Sequence, residues 1–526
     1  MKYIQHSLLG IIMLTGFVTL SGQFNPDGLK LMEVMDKVSR YYVDSIDEGA
    51  FVEKTIVHML HELDPHSSYI SVDELKEVSE QLNGEFEGIG VSFNILQDTI
   101  FIVGTIQGGP SERVGILAGD RIVTVDGENV AGIGIGTSGV QKRLKGKKGT
   151  QVKVTILRKS TNKLLDFTIT RDKIPVYSLD AAYMVEDKVG YIKLSRFSQT
   201  TAEEFEEALK ELEKKGMENL ILDLSANGGG YLRIAVDLAD QFLKSGQQIV
   251  YTEGEKVPRR DYKATSRGLF EEGRLVIMID ENSASASEIV SGAIQEWDRG
   301  VLVGRRSFGK GLVQQPFRLN DGSEMRLTIA RYYTPTGRLI QKPYDEGYEN
   351  YAMDIINRYN SGELNSSDSI FFPESRRFET LVKGRTVYGG GGIMPDYFVP
   401  FDTSFFSDYY RDLIGKGYFN QFVLRYMDAN RPALERKFKD FQSFKLKFDP
   451  RPDMDELIAY AEQEGLPYNE EEWQRSHARI ELLFKAYIAR DLWETGNFYE
   501  IFNEADPIYL KAKEILHDPR FYVEKL

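Results

Sequence analysis

Three short runs constrain this chain most: Leu220–Leu224, Leu275–Ile279 and Val301–Val303 are almost wholly apolar. The first two are each followed by a turn rich in Gly or in Ser and Ala, and then by a helical pattern. A strand that is apolar at every position has both faces covered, which is the mark of a parallel sheet with helices packed on it. Val189–Leu194 and the amphipathic stretch Ala202–Lys215, with Phe205, Leu209 and Leu212 at helical spacing, belong to the same strand–helix alternation. The segment from about 174 to 345 therefore reads as an α/β unit.

It cannot be the whole fold. At 526 residues the chain is too long for one core. Residues 24–85 read as helical, with Leu31, Val34, Met35, Val38 and Tyr42 on one face, up to the break Leu63-Asp64-Pro65-His66-Ser67-Ser68-Tyr69. From 86 to 173 the composition shifts to Gly and alternating β-branched residues, such as Val152, Val154 and Ile156. Residues 346–384 are polar and read as an insertion or mobile loop into the α/β unit, which resumes at 385–402. Residues 403–526 are helical and aromatic-rich, with Ile480, Leu483, Phe484, Tyr487 and Ile488 marking a core-facing stripe. At the start, Lys2 and His6 precede an apolar run from Leu8 to Leu20, too short to span a bilayer, and Thr19, Ser21 and Gly22 close it. That is the pattern of an export signal over 1–23, the alternative being an uncleaved anchor. Leu20-Ser21-Gly22 would suit a lipoprotein signal, but Gln23 stands where the acylated Cys would be.

Composition narrows the chemistry. The chain has no Cys, so thiolate metal sites, disulfides and cysteine nucleophiles are excluded. A net charge of −15 argues against a nucleic-acid partner. None of the six His falls in the α/β segment, so a local histidine base is absent there. His58, His61 and His66 with Asp64 form a weak candidate metal cluster, against the plainer reading of a helix end and an Asp-Pro turn. A phosphate-binding loop fits Gly304 to Lys310 only partly, because Gly311 replaces the required Ser or Thr and a strand pattern follows.

The tract with most chemical content is Ser283-Ala284-Ser285-Ala286-Ser287-Glu288, where a buried strand gives way to a helix. Ser285 and Glu288 have capping-box spacing. A Ser at a helix start has free N–H groups nearby that suit an oxyanion, although most such Ser are only caps. Without His, Lys310 in Phe308-Gly309-Lys310-Gly311 is the available base. It would have to be neutral, which needs burial to lower its ordinary value of about 10.4 by roughly three units.

These tracts, with Leu63–Tyr69, Gly88–Val91, Pro110–Asp126, Asp223–Gly230, Thr328–Gly337 and Gly392–Asp396, resemble the carboxyl-terminal processing peptidases in order and spacing over roughly residues 30–400. The resemblance implies a multidomain α+β protein: an N-terminal helical region, a PDZ-like β-rich domain over 86–173, a crotonase- or ClpP-like α/β protease core, and a C-terminal helical domain. It implies a secreted or periplasmic serine endopeptidase with no cofactor and no metal. Ser285 would be the nucleophile, Lys310, 25 residues later, the general base, and Gln314 the residue that orients it. The N–H groups of Ala286 and Gly229 would form the oxyanion hole. Gly88, Ile89, Gly90 and Val91 would hold the free C-terminus of a substrate protein, and Lys145 aligns with a position, often Arg in relatives, that has been proposed to sense substrate, against the plainer reading of a solvated basic loop over Lys142–Lys148. An envelope adaptor and a homo-oligomer are further partners the resemblance leaves open. Glu296 stands where some relatives carry Asp, with no catalytic role expected, and Ser225 replaces the family's usual Arg. The alternative from another class is a non-catalytic PDZ scaffold.

Overall fold

The computed structural model describes residues 26–159 and 161–526, so the expected export signal lies outside the described residues. Residues 26–59 belong to a separate unit containing the helix Pro26–Tyr41, which buries none of its side chains. Everything from Leu60 onward forms one unit. Among the described residues no helix is long and apolar enough to cross a membrane.

The α/β segment builds a six-stranded sheet in the order Leu179–Glu186, Val189–Leu194, Asn219–Asp223, Leu275–Ile279, Val301–Gly304, Tyr397–Phe398. The first pair is antiparallel and the rest are parallel, with Leu220 opposite Leu275 and Ile277 opposite Leu302. Leu275–Ile279 is buried at all five positions, as the apolar run requires. One face packs on the helices Thr201–Lys214, Leu232–Ala239 and Ala286–Glu296 through Phe205, Leu209, Leu238 and Ile289.

The other face needs a cover too, and it comes from the end of the chain. Ile508, Tyr509, Ala512 and Ile515 of the helix Pro507–His517 pack on Ile221, Val276, Met278 and Val301. The stretch 403–526 is therefore not all one domain. Its first part, up to Ile501, closes an aromatic core of its own around Phe422, Phe444, Phe484 and Trp473. The helix Pro507–His517 belongs to the sheet.

Two further sheets matter for the site. The strand Glu324–Tyr333 pairs with Ser68–Ile70, Leu312–Arg318 and Gln248–Gly254, which brings the Leu63–Tyr69 segment beside the strand that follows Lys310. Between 86 and 173, a sheet running from Val91–Leu96 to Lys163–Thr170 closes over Ile100, Ile122, Val152 and Ile156, with the helix Thr137–Leu144 alongside.

The polar stretch 346–384 is not a loose loop. It contains the helices Tyr348–Ala352 and Asp354–Asn360, and Tyr351, Arg358 and Leu364 are buried. Arg358 donates to the carbonyls of Ser307 (3.2 Å) and Arg306 (2.6 Å), and Glu363 accepts from Arg306 and Arg358. Most of the stretch is exposed, but Arg358 and Glu363 are buried and tie it to the segment before Lys310.

Candidate active site

The Leu275–Ile279 strand delivers the chain to a turn that is pinned from both sides. Asp280 Oδ1 accepts from the N–H of Ala226, Asn282 and Ser283. Ser283 Oγ donates to Leu224 O (2.8 Å), and Ser287 Oγ donates to Asn227 O (2.8 Å). The outer two serines of the run thus stitch the turn to the end of the neighbouring strand. Ser285, between them, is left at the wall of a cavity of about 360 Å³. Its backbone has φ 54° and ψ −109°, a region L-residues rarely occupy, and such strain costs roughly 1–3 kcal/mol. The fully buried helix Ala286–Glu296 starts there.

Lys310 lines the same cavity from the other side. Gly309 and Gly311 flank it because there is no room for side chains: a Cβ on Gly309, where φ is 89°, would sit 3.0 Å from Gly392 N, and one on Gly311 would sit 2.9 Å from Gln341 N. The Lys310 ammonium is held below its ordinary value, chiefly by burial. Glu288 opposes that shift, Arg326 adds to it, and Asp64 opposes it.

Gln314 stands four residues further on, in the strand Leu312–Arg318. Its Nε2 donates to the carbonyl of His66, which leaves Oε1 facing Lys310 Nζ at 3.4 Å. The His66 carbonyl is itself fixed, since Asp64 Oδ1 accepts from His66 N and Ser67 N (2.8 Å each) and from Thr328 Oγ1 (3.1 Å). The Asp-Pro tract is thus a support for the amide. Among the described residues no hydrogen bond joins Ser285 Oγ to Lys310 Nζ, although both face one cavity.

The Gly-rich loop lies against the turn. A Cβ on Gly229, where φ is 100°, would meet Ser285 Cβ at 2.8 Å and Ala286 N at 3.0 Å. The N–H of Gly229 is donated to Asn227 Oδ1 (2.9 Å), so the donor expected for an oxyanion is already engaged. Gly228 and Gly230 are the loop glycines that line the cavity. The Ala286 N–H has no acceptor among the described residues. Ser225, where the family's Arg would stand, is held through its carbonyl by Lys193 Nζ (2.5 Å) and through its N–H by Asp223 (2.8 Å).

Gly88, Ile89, Gly90 and Val91 form the turn from Glu85–Gly88 into Val91–Leu96. The Ile89 carbonyl accepts from Ser111 N and Oγ, and the Gly90 carbonyl from Ile106 N, which turns these acceptors inward. Lys145 is paired with Glu80 at 2.5 Å and lies over the Phe86 ring.

Other candidates resolve differently. Glu296 is fully buried and accepts from Arg338 Nε (2.7 Å), Thr334 Oγ1 and Thr336 N, away from the cavity wall. His66 Nε2 bonds Tyr351 OH (2.7 Å) and His61 stacks on Tyr348, and among the described residues no cluster could hold a metal ion. A strand, Leu312–Arg318, follows Lys310 where a phosphate loop would need a helix.

The sequence profile of peptidase family S41 matches residues 188–348, and that of the PDZ domain matches 88–169. A family of unknown function, DUF8443, matches 409–494. The carboxy-terminal-processing protease of Bartonella bacilliformis is 36% identical over 341 residues, which cover 61% of this chain and 77% of that one. The carboxy-terminal processing protease CtpB of Bacillus subtilis is 36% identical over 341 residues, covering 62% and 69%. Among solved structures, a photosystem II D1 C-terminal processing protease is 28% identical with a TM-score of 0.34, covering 60% of this chain and 90% of that one. The PDZ domain of a carboxy-terminal protease from Vibrio cholerae, solved with a peptide, is 34% identical with a TM-score of 0.16, covering 17% and 97%.

Proposed function

The chain belongs to peptidase family S41, the carboxy-terminal-processing serine proteases, and from that membership we propose that it cleaves exported proteins by a Ser285–Lys310 dyad after capturing their free C-termini at the PDZ domain. The observation that carries the reading is one cavity lined by a strained serine at a helix start and by a lysine whose charge burial disfavours.

In this mechanism neutral Lys310 Nζ takes the proton of Ser285 Oγ as the oxygen attacks the scissile carbonyl. Gln314 Oε1 orients Nζ without adding charge, as a carboxylate would. The oxyanion is met by the Ala286 N–H at the positive end of its helix and by an N–H of the Gly228–Gly230 loop once a substrate displaces the loop's internal bond. The lysine ammonium then protonates the leaving amine. Water, deprotonated by the same nitrogen, releases the acyl group and restores Ser285. The tail carboxylate is received by the N–H groups of the Gly88–Val91 turn, with the peptide added along Val91–Leu96. Work outside the cytoplasm follows from the export signal read in residues 1–23.

The test compares wild type with Ser285→Ala and Lys310→Ala on an unfolded reporter protein, with its C-terminus free or amidated. Both variants are expected to lose cleavage and amidation to slow it. Unchanged cleavage by Ser285→Ala overturns the dyad, and indifference to amidation overturns tail capture.

A further inference from the structure

Ser285 and Lys310 come from different parts of the chain, and the groups that fix one to the other are two buried side chains outside the dyad. Glu288 is completely buried. Its Oε2 accepts from the backbone N–H of Ser285 (2.8 Å) and of Lys310 (2.9 Å). Its Oε1 accepts from Gly309 N (2.7 Å) and Ser307 Oγ (2.5 Å). Ser307 Oγ also accepts from Ile393 N (2.7 Å), so its one proton is the one given to Glu288. On the carbonyl side, Tyr332 OH lies 3.1 Å from Ser285 O and bonds Lys310 O as well. The N–H groups of both residues thus meet at one oxygen and their carbonyls at one hydroxyl.

Four donors converge on the Glu288 carboxyl and leave no acceptor for a proton of its own. An acceptor-only group in that position is an ionised carboxylate. Burial holds the Glu288 carboxyl above its ordinary value, and the bonds from Ser307, Lys310, Gly309 and Ser285 oppose that shift without reversing it.

We propose that Glu288 is a positioning residue for the cleavage reaction: its carboxylate sets the spacing between the Ser285 and Lys310 backbones and places a fixed negative charge beside the base. This rests on the dyad reading above. Glu288 does not line the cavity, so it acts through those two residues and not on substrate. The other groups facing them are Arg326, Glu324 and Tyr332 of the Glu324–Tyr333 strand, Asp64 and His66 of the segment beside it, and Tyr351. Glu288 is the carboxylate whose charge acts most strongly on Lys310 among them.

Glu288→Gln removes the charge and turns one amide NH₂ either toward the N–H groups of Ser285 and Lys310 or toward the N–H of Gly309 and the hydroxyl of Ser307. The expected result is a fall in kcat of about 100-fold, the usual penalty for a small misplacement of reacting groups. KM stays within about threefold. The acid limb of kcat/KM, set by deprotonation of Lys310, moves about one pH unit lower, because the charge that favoured the ammonium is gone. Glu288→Asp keeps the charge but cannot reach all four donors, so kcat falls while the acid limb stays put. Wild-type kcat in Glu288→Gln, or an acid limb unmoved from wild type, overturns the proposal. If Glu288→Gln does not fold, wild-type kcat in Glu288→Asp overturns it equally. Ser285→Ala, run alongside, separates the two readings. Full cleavage by it removes the dyad and Glu288's role with it. An inactive Ser285→Ala beside an unaffected Glu288→Gln removes the role of Glu288 alone.

Discussion

Replacing Gln314 by Glu puts a carboxylate where the structure has a neutral amide oxygen, 3.4 Å from Lys310 Nζ. At that distance and an effective dielectric constant of about 20, two unit charges attract by about 5 kcal/mol. Solvent in the open cavity screens part of this, and close opposite charges shift a side chain by about 1–3 pH units. The sign is upward, since the carboxylate favours the ammonium that burial disfavours. Below the shifted value each unit cuts the neutral fraction of Lys310 tenfold, so kcat/KM at pH 7 is expected to fall by about 10- to 1,000-fold. It should be regained progressively as pH rises toward 10. Gln314→Ala is the control: it loses the same bond to the His66 carbonyl without adding charge, so its loss should not be recovered at high pH. The assay is the initial rate on a fluorogenic peptide between pH 6 and 10. Superimposable profiles for Gln314→Glu and Gln314→Ala would refute the argument that Lys310 works as a neutral base.

Three more outcomes follow from the same contacts. Arg358→Met removes two bonds to the segment just before Lys310 and should lower kcat several-fold with little change in KM, read by steady-state kinetics. His66 is held near about 3, first by burial and then by the Lys310 charge, so the folded state resists its protonation. The stability this represents, up to about 5 kcal/mol, is present above about pH 6.5 and is lost as pH falls from there toward 3; His66→Gln should flatten that slope in urea midpoints. Burial alone would raise the Asp428 carboxyl, but bonds from Arg121 (2.8 Å) and Lys159 (2.5 Å) hold it below its ordinary value. That contribution is present above about pH 4 and is lost as pH falls through the lowered value. Asp428→Asn should cost about 1–3 kcal/mol and raise hydrogen exchange in both Gln151–Arg158 and Tyr418–Lys437, where the β-rich domain meets the C-terminal helices.

What could be read in the sequence was whatever depends on neighbours along the chain. Apolar runs gave the buried strands, and Ser285 with Glu288 at capping-box spacing gave the helix start. What was hidden depends on partners far away. Glu288 reads as a cap, but its bonds to Ser307, Gly309 and Lys310 exist only because the next strand returns beside it. The polar 346–384 stretch reads as a loop because Arg358 and Glu363 meet their partners 52 and 57 residues away. Pro507–His517 reads as part of a helical domain, since nothing local marks it as the cover of strands laid down far earlier in the chain, at Ile221, Val276 and Val301. The bond between Gly229 N and Asn227 lies within one loop, yet glycine composition shows room for the backbone and not which way its N–H points.

The central claim is that Ser285 forms a covalent acyl-enzyme with Lys310 as its base. The most direct measurement is acid quenching of the enzyme with a slowly deacylated ester substrate, followed by mass spectrometry of its peptides. The expected result is one acyl group, on the peptide containing Ser285, whose rate of appearance rises with pH in wild type and collapses in Lys310→Ala. Turnover with the acyl group on any other residue, or undiminished acylation of Ser285 in Lys310→Ala, would contradict it.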